Sequence, residues 1–394
     1  MGFERIEELL RLLGNPENNL RPVQIVGTNG KGTTAVALSA ALEEAGESTG
    51  TYLSPHLLSY TERVMIGVRQ SSEEEFALGM GKALDVSDEH GVSASQFELL
   101  TAGAVGMFRD AGVRWAVMEA GLGARHDATT AVGPETIVLT NVSLDHTEYL
   151  GETVEEIARE KLAGIPRGGT LILGSDDPKL LDIAREECES KEARLVHLAS
   201  SEEELSGSLL VGLPPYAAKD VLLGFRSAEV LLGRELGDGV LEKVVSRIRG
   251  VLPGRFEVRE VEGIPVVIDG GHNVEGVRAA VEAVKEVYGA RPIGVVFGVL
   301  RDKDIRSMLT GLREEARKLA LTLPEGGRAA EPEWVSSEFD PRDSAGNEAL
   351  VEPEIGAAIG RIVGEMKRLD GVVLITGSLF TGAAALRWMG GDGR

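Results

Sequence analysis

Short uncharged runs rich in β-branched residues alternate with longer helical stretches along nearly the whole chain, and that rhythm leaves few folds open. Val23–Val26, Trp115–Met118, Thr136–Thr140, Leu171–Leu173 and Leu195–Leu198 read as strands. Helices are expected over Thr34–Ala45 and Val154–Leu162. Strands this apolar, separated by helices, form a parallel sheet covered on both faces. After Pro253 the rhythm restarts, with strands at Pro265–Ile268, Ile293–Phe297 and Val372–Ile375. Helices are expected there over Val274–Val287 and Ile305–Leu319, with a short one from Thr381. The polar segment Pro324–Glu354 reads as surface loop. A chain of 394 residues accommodates two domains. Leu252-Pro253-Gly254 marks the boundary, giving a larger α/β domain over 1–250 and a smaller one over 251–394.

Charge narrows the partners. There are 41 Lys and Arg against 63 Asp and Glu, a net charge of −22. Such a chain has no basic excess to displace counterions from a nucleic acid or to seek an anionic membrane. It can still bind a nucleotide through local cations and Mg²⁺. The single cysteine, Cys188, excludes an internal disulfide and a multi-cysteine metal site. Its charged neighbours Arg185, Glu186, Glu187 and Glu189 suggest a surface helix. The first residues carry no signal-like apolar stretch, and the longest uncharged run, Gly371–Leu386, is too short to span a bilayer. A cytoplasmic protein is expected.

Gly27-Thr28-Asn29-Gly30-Lys31-Gly32-Thr33-Thr34 follows a strand and opens a helix. Glycines let backbone N–H groups curl round phosphate oxygens, and the helix N-terminus adds its positive end. Lys31 supplies a full charge, and the hydroxyl of Thr33 or Thr34 can face Mg²⁺. Three further polar segments follow short apolar runs, where open α/β sheets place ligands: Ser54-Pro55-His56, Glu119-Ala120-Gly121, and Asp145-His146-Thr147. A hydroxyl, a carboxylate and an imidazole converging on a triphosphate are plausible Mg²⁺ ligands.

These segments occur in order with Glu62-Arg63, Phe97-Glu98-Leu99-Leu100-Thr101, Glu160-Lys161-Leu162, Pro253-Gly254-Arg255-Phe256, Asp269-Gly270-Gly271-His272-Asn273, Asp302-Lys303-Asp304 and Thr376-Gly377-Ser378-Leu379. Together they resemble the bacterial folylpolyglutamate synthase/dihydrofolate synthase family, relatives of the Mur ligases, from about Ile6 to Leu386. The resemblance implies a P-loop, Mur-ligase-like ATPase domain with a mostly parallel sheet that binds ATP and folate. A smaller, Rossmann-like glutamate-ligase domain follows it. It implies ATP-dependent amide ligation: ATP converts a carboxylate to an acyl phosphate, L-glutamate attacks, and phosphate leaves. The acid is dihydropteroate, a reduced folate, or each in turn, and the choice among these stays open.

Roles carry over from the resemblance. Asn29, Gly30, Lys31, Gly32, Thr33 and Thr34 hold ATP, with Asp220, Arg255 and Asp269. Ser54 and Glu119 match ligands of one Mg²⁺ and His146 a ligand of a second. Lys161 matches a lysine that the family carbamylates. Gln96, Phe97, Glu98, Gly123, Ala124 and Arg125 lie where the family contacts the pterin. His272 and Ser378 match glutamate-binding and transfer positions. The family suggests a monomer.

Four departures stand out. The N-terminus is short. Ala217-Ala218-Lys219-Asp220 replaces a Gln-x-x-Asn, and Asp lacks the amide donor. His126 and Thr130 differ in the pterin stretch, and Gly271 replaces an Ala. The alternatives are a Mur-type ligase acting on a non-folate acid and a nucleotide-binding relative without ligase chemistry. Phe97-Glu98 favours folate over the first. Joint retention of Lys31, Glu119, His146 and Lys161 speaks against the second.

Overall fold

The computed structural model describes residues 2–198, 208–210, 212–248 and 253–390. The chain divides into two units, Met1–Val251 and Leu252–Arg394. The expected boundary between 250 and 251, and Leu252 itself, lie outside the described residues.

Unit 1 is built on one sheet. Its strands are β1 (Arg21–Val26), β2 (Thr49–Tyr52), β3 (Val64–Ile66), β4 (Arg69–Gln70), β5 (Trp115–Glu119), β6 (Thr136–Leu139), β7 (Thr170–Leu173) and β8 (Arg194–His197). Its helices are α1 (Glu4–Leu12), α2 (Lys31–Glu44), α3 (Glu73–His90), α4 (Gln96–Asp110), α5 (Thr147–Leu150), α6 (Val154–Leu162), α7 (Pro178–Ser190), α8 (Pro215–Leu232) and α9 (Asp238–Ile248). The strand order is β4-β3-β2-β5-β1-β6-β7-β8. β3 pairs antiparallel with both β2 and β4, and the other pairings are parallel. β1 therefore lies between β5 and β6, and the loops leaving these three strands open side by side. One core packs α1 and α4 on the sheet through Leu9, Leu10, Val105 and Phe108. Another packs α6 and α7 through Ile137, Leu139, Leu162 and Ile183.

Helix α2 is buried from Gly32 to Leu42 and shows no polar face. It is a central helix, and α8 lies hard against it. A Cβ on Gly224 of α8 would come within 2.5 Å of the Thr34 carbonyl. Only glycine permits that approach.

Unit 2 has β9 (Glu257–Val261), β10 (Ile264–Ile268), β11 (Ile293–Phe297), β12 (Ala316–Leu321), β13 (Leu350–Val351) and β14 (Val372–Thr376). Its helices are α10 (Val274–Tyr288), α11 (Ile305–Arg313), α12 (Pro332–Phe339), α13 (Ile355–Leu369) and α14 (Leu379–Gly390). The sheet order is β13-β12-β11-β14-β10-β9, with only β9 antiparallel.

Three expectations are corrected. The helix expected over Ile305–Leu319 ends at Arg313, and Ala316–Leu321 is a strand. Pairing with β11 overrides the helical propensity of Ala, Arg, Lys and Leu there. The expected loop Pro324–Glu354 contains α12, opened by Pro332, and β13, which extends the sheet at its edge. Cys188 is buried, 3% exposed, because Leu180, Ile183, Ala184 and Cys188 form the inner stripe of α7. Among the described residues no helix is long and apolar enough to cross a membrane.

Candidate active site

The turn from β1 into α2 is held from two sides. Gly27 has φ 150°, and a Cβ there would lie 1.9 Å from Thr140 Oγ1. Gly30, at φ 81°, caps α2 in the left-handed region open to glycine. The segment after β6 stitches the turn down. Thr28 N donates to the Asn141 carbonyl at 2.9 Å, and Asn29 N donates to Asn141 Oδ1 at 3.0 Å. The Asn29 carbonyl accepts from Thr140 Oγ1 at 2.7 Å and Asn141 Nδ2 at 3.0 Å. Thr28 Oγ1 accepts from Ser143 N at 3.0 Å. These bonds fix the course of the loop into α2. Thr33 is nearly buried and Thr34 wholly so.

Two ammonium groups meet on this loop. Lys31 Nζ donates to the Gly27 and Thr28 carbonyls, both at 3.1 Å. Lys161, reaching across from α6, donates to the same Gly27 carbonyl at 2.8 Å. Lys161 is 4% exposed. Burial first, and the nearby Lys31 charge second, push its pKa down from 10.5 to about 7. Asp145 and Asp127 oppose that shift.

The carboxylate of Glu119, at the end of β5, lies beside α2. Its Oε2 is 3.3 Å from where a Cβ on Gly32 would sit, so this glycine makes room for it. The same Oε2 accepts from Ser54 N at 2.8 Å, which brings Ser54 and Glu119 together. His146 caps α5 in the left-handed region, with its N–H on Asp145 Oδ1 at 2.9 Å. Asp220 packs its carboxylate over Gly30, 2.2 Å from the position of an added Cβ.

The residues expected to contact the pterin lie on α4 and the turn after β5. Phe97 lies over Gly121, where a Cβ would come within 2.7 Å of its ring. Gln96 Nε2 donates to Tyr60 Oη at 3.0 Å. Glu98 has structural duties: it completes the cap of α4 and accepts from Arg5 Nε at 3.2 Å. Arg125 pairs with Glu160 at 2.8 Å, and Gly123, at φ 66°, packs near Glu160 and Leu150. Ala124 is buried, and its carbonyl accepts from Thr130 Oγ1.

Within unit 2, the named residues gather where β10 and β14 end. Asp269 Oδ2 accepts from Phe256 N at 3.0 Å and Oδ1 from Gly271 N at 2.9 Å. A Cβ on Gly270 would lie 3.1 Å from Arg255 Nη1. His272 Nδ1 lies 3.1 Å from the Gly270 carbonyl. Ser378 is buried, and its hydroxyl holds Thr381 at the start of α14.

Sequence reasoning missed three supports. Thr140 and Asn141 brace the loop, and their signal is a polar pair directly after an apolar strand. Asp127, fully buried, accepts from Gly121 N, Leu122 N and Thr129 N, shaping the turn after β5. Its burial pushes its pKa up, against those hydrogen bonds.

The pattern of the Mur ligase middle domain matches residues 25–208, and that of the Mur ligase glutamate ligase domain matches 254–379. Dihydrofolate synthase/folylpolyglutamate synthase of Bacillus subtilis is 29% identical, over 96% of this chain and 93% of that protein. The fold is similar to Mycobacterium tuberculosis folylpolyglutamate synthase complexed with ADP and AMPPCP, at TM-score 0.90 and 25% identity, covering 100% of this chain and 96% of that one. It is also similar to a bifunctional folylpolyglutamate synthase/dihydrofolate synthase with Mn, AMPPNP and L-glutamate bound. That likeness has TM-score 0.84 and 28% identity, covering 99% and 94% of the two chains.

Proposed function

From the premise that the chain belongs to the Mur ligase family, in its folylpolyglutamate synthase/dihydrofolate synthase branch, we propose that it joins L-glutamate to a folate or pteroate carboxylate with consumption of ATP. The substrate carboxylate oxygen attacks the γ-phosphorus, the bond to ADP breaks, and an acyl phosphate forms. The glutamate amine then attacks the acyl carbon, phosphate leaves, the nitrogen gives up a proton, and an amide remains. The observation that carries the reading is the meeting of Lys31, Lys161 and the Glu119–Ser54 pair around one Gly-rich turn.

Lys31, the N–H groups of Gly30 to Thr33 and the N-terminal end of α2 would hold the phosphates, with Asn29 and Thr34 shaping the turn on either side. Glu119 and Ser54 offer hard oxygen donors, and Gly32 leaves the space beside them. Among the described residues no three His, Cys, Asp or Glu cluster as a preformed cage. A Mg²⁺ that keeps its waters and shares phosphate oxygens fits that donor set. His146 would serve a second Mg²⁺. Mg²⁺ bound there would neutralise charge developing on the transferred phosphoryl group.

Lys161 is suited to carbamylation. A pKa of about 7 leaves much of its amine neutral near neutral pH, able to attack CO₂ and release a proton. The anion so formed would face the metal in place of a repelling cation. Gln96, Phe97, Glu98, Gly123, Ala124 and Arg125 would border the pterin. Asp220, Arg255 and Asp269 would complete ATP binding, and His272 and Ser378 would serve glutamate. We propose a monomer.

The test is phosphate release from Mg·ATP with L-glutamate, adding dihydropteroate or tetrahydrofolate separately and weighing the products. Turnover with dihydropteroate assigns the synthase step, and turnover with tetrahydrofolate assigns tail extension. Release that needs neither acid nor glutamate refutes the ligase reading.

A further inference from the structure

Between the antiparallel strands β2 and β3 the chain makes a loop over Leu53–Arg63, and one carboxylate closes it. Glu62 Oε2 accepts from Leu57 N at 2.7 Å. Glu62 Oε1 accepts from Leu58 N and Ser59 N, both at 2.7 Å. Three consecutive N–H groups pointing one way cannot satisfy one another, so the loop conformation needs an anion at their focus. Arg63 holds the other half. Its carbonyl accepts from Leu53 N at 2.9 Å, and its Nε donates to His56 Nδ1 at 2.9 Å. His56 in turn packs against Tyr60, the rings tilted by 44° with centroids 4.1 Å apart. Ser54 sits in the span between these anchors, with its own N–H on Glu119.

We infer that Glu62 is a positioning residue for the metal-facing turn: by gathering Leu57, Leu58 and Ser59 it fixes the course of Ser54 against Glu119. This rests on the functional reading above, in which Ser54 and Glu119 face a divalent ion. Glu62 spends its carboxylate on these three N–H groups and acts through Ser54. Charge-assisted bonds to backbone N–H groups are the strong kind, and three on one side chain leave the loop a single arrangement. Without them Ser54 keeps its sequence position but loses its register with Glu119.

The test uses the full chain, Glu62→Ala and Glu62→Gln, with Mn²⁺ as the probe. Mn²⁺ is titrated into the protein–ADP complex and free Mn²⁺ is read by its EPR signal. Calorimetry measures ADP binding without metal. Glu62→Ala should weaken Mn²⁺ binding about tenfold, the scale for losing a group that orients a metal ligand. ADP binding without metal should stay unchanged. Glu62→Gln keeps an oxygen for Leu58 and Ser59 but turns an N–H₂ on Leu57, so its loss should be intermediate. Unchanged Mn²⁺ affinity in both variants overturns the inference. So does a loss of ADP binding and melting temperature in step with Mn²⁺, which would mark Glu62 as only a fold-stabilising residue. If the unsubstituted chain binds no ADP, the functional reading itself falls.

Discussion

Replacing Lys161 by methionine should stabilise unit 1 in mild acid and lose that advantage in alkali. Lys161 is buried with its Nζ on the Gly27 carbonyl, and its pKa falls from 10.5 to about 7. The unfolded chain holds this proton up to 10.5, whereas the folded chain releases it near 7. Between those values the unfolded state binds more protons, so stability at this position rises with pH. The gap from 10.5 to about 7, at roughly 1.4 kcal/mol per pH unit, sets a ceiling of about 5 kcal/mol on the burial penalty at pH 6. By pH 10 the penalty has fallen below about 1 kcal/mol. Methionine keeps the apolar stem but forfeits the bond to Gly27, about 1 kcal/mol. The variant should therefore exceed the parent by up to about 4 kcal/mol at pH 6 and match or trail it at pH 10. Urea unfolding in CO₂-free buffer reads this directly, keeping the amine unmodified. A Trp334→Phe, Trp388→Phe background leaves Trp115 as the one tryptophan, which confines the signal to unit 1. A stability gap that stays constant from pH 6 to pH 10 refutes the reasoning, because no buried, depressed ammonium would then exist.

Asp220→Asn should tighten ADP binding in calorimetry, because it removes a carboxylate packed over Gly30; equal or weaker affinity sinks the idea that this charge opposes phosphate. Gly27→Ala should destabilise unit 1 and abolish ADP binding, since its Cβ would meet Thr140 Oγ1 at 1.9 Å; a folded variant that binds ADP normally overturns the close approach. Asp127→Ala should lower stability by about 2 kcal/mol in urea melts, leaving the buried N–H of Thr129 and the part-buried N–H groups of Gly121 and Leu122 without their acceptor. Cys188, buried and with its thiol pKa pushed up by burial, should react with a thiol reagent only after denaturation; rapid labelling of the folded chain contradicts the packing of α7.

The alternation of apolar runs with helices settles the α/β class, because no other arrangement buries such strands on both faces. Local chemistry was equally legible at the Gly-rich turn. Gly27 and Gly30 stand where only a residue without Cβ fits, and Lys31 opens the helix whose N-terminus supplies the donors. Where the fold overrode local preference, the sequence misled. Residues 316–321 look helical and pair as β12, and charged neighbours disguised the inward face of Cys188. Lys161 shows the division most clearly. Its identity is written in the chain, but its acidity is not. Only folding carries it across 134 positions to the Gly27 carbonyl, strips its water and sets it beside Lys31. Electrostatic character depends on surroundings in space, and those are assembled by the sheet order β5-β1-β6 rather than by any local run of residues.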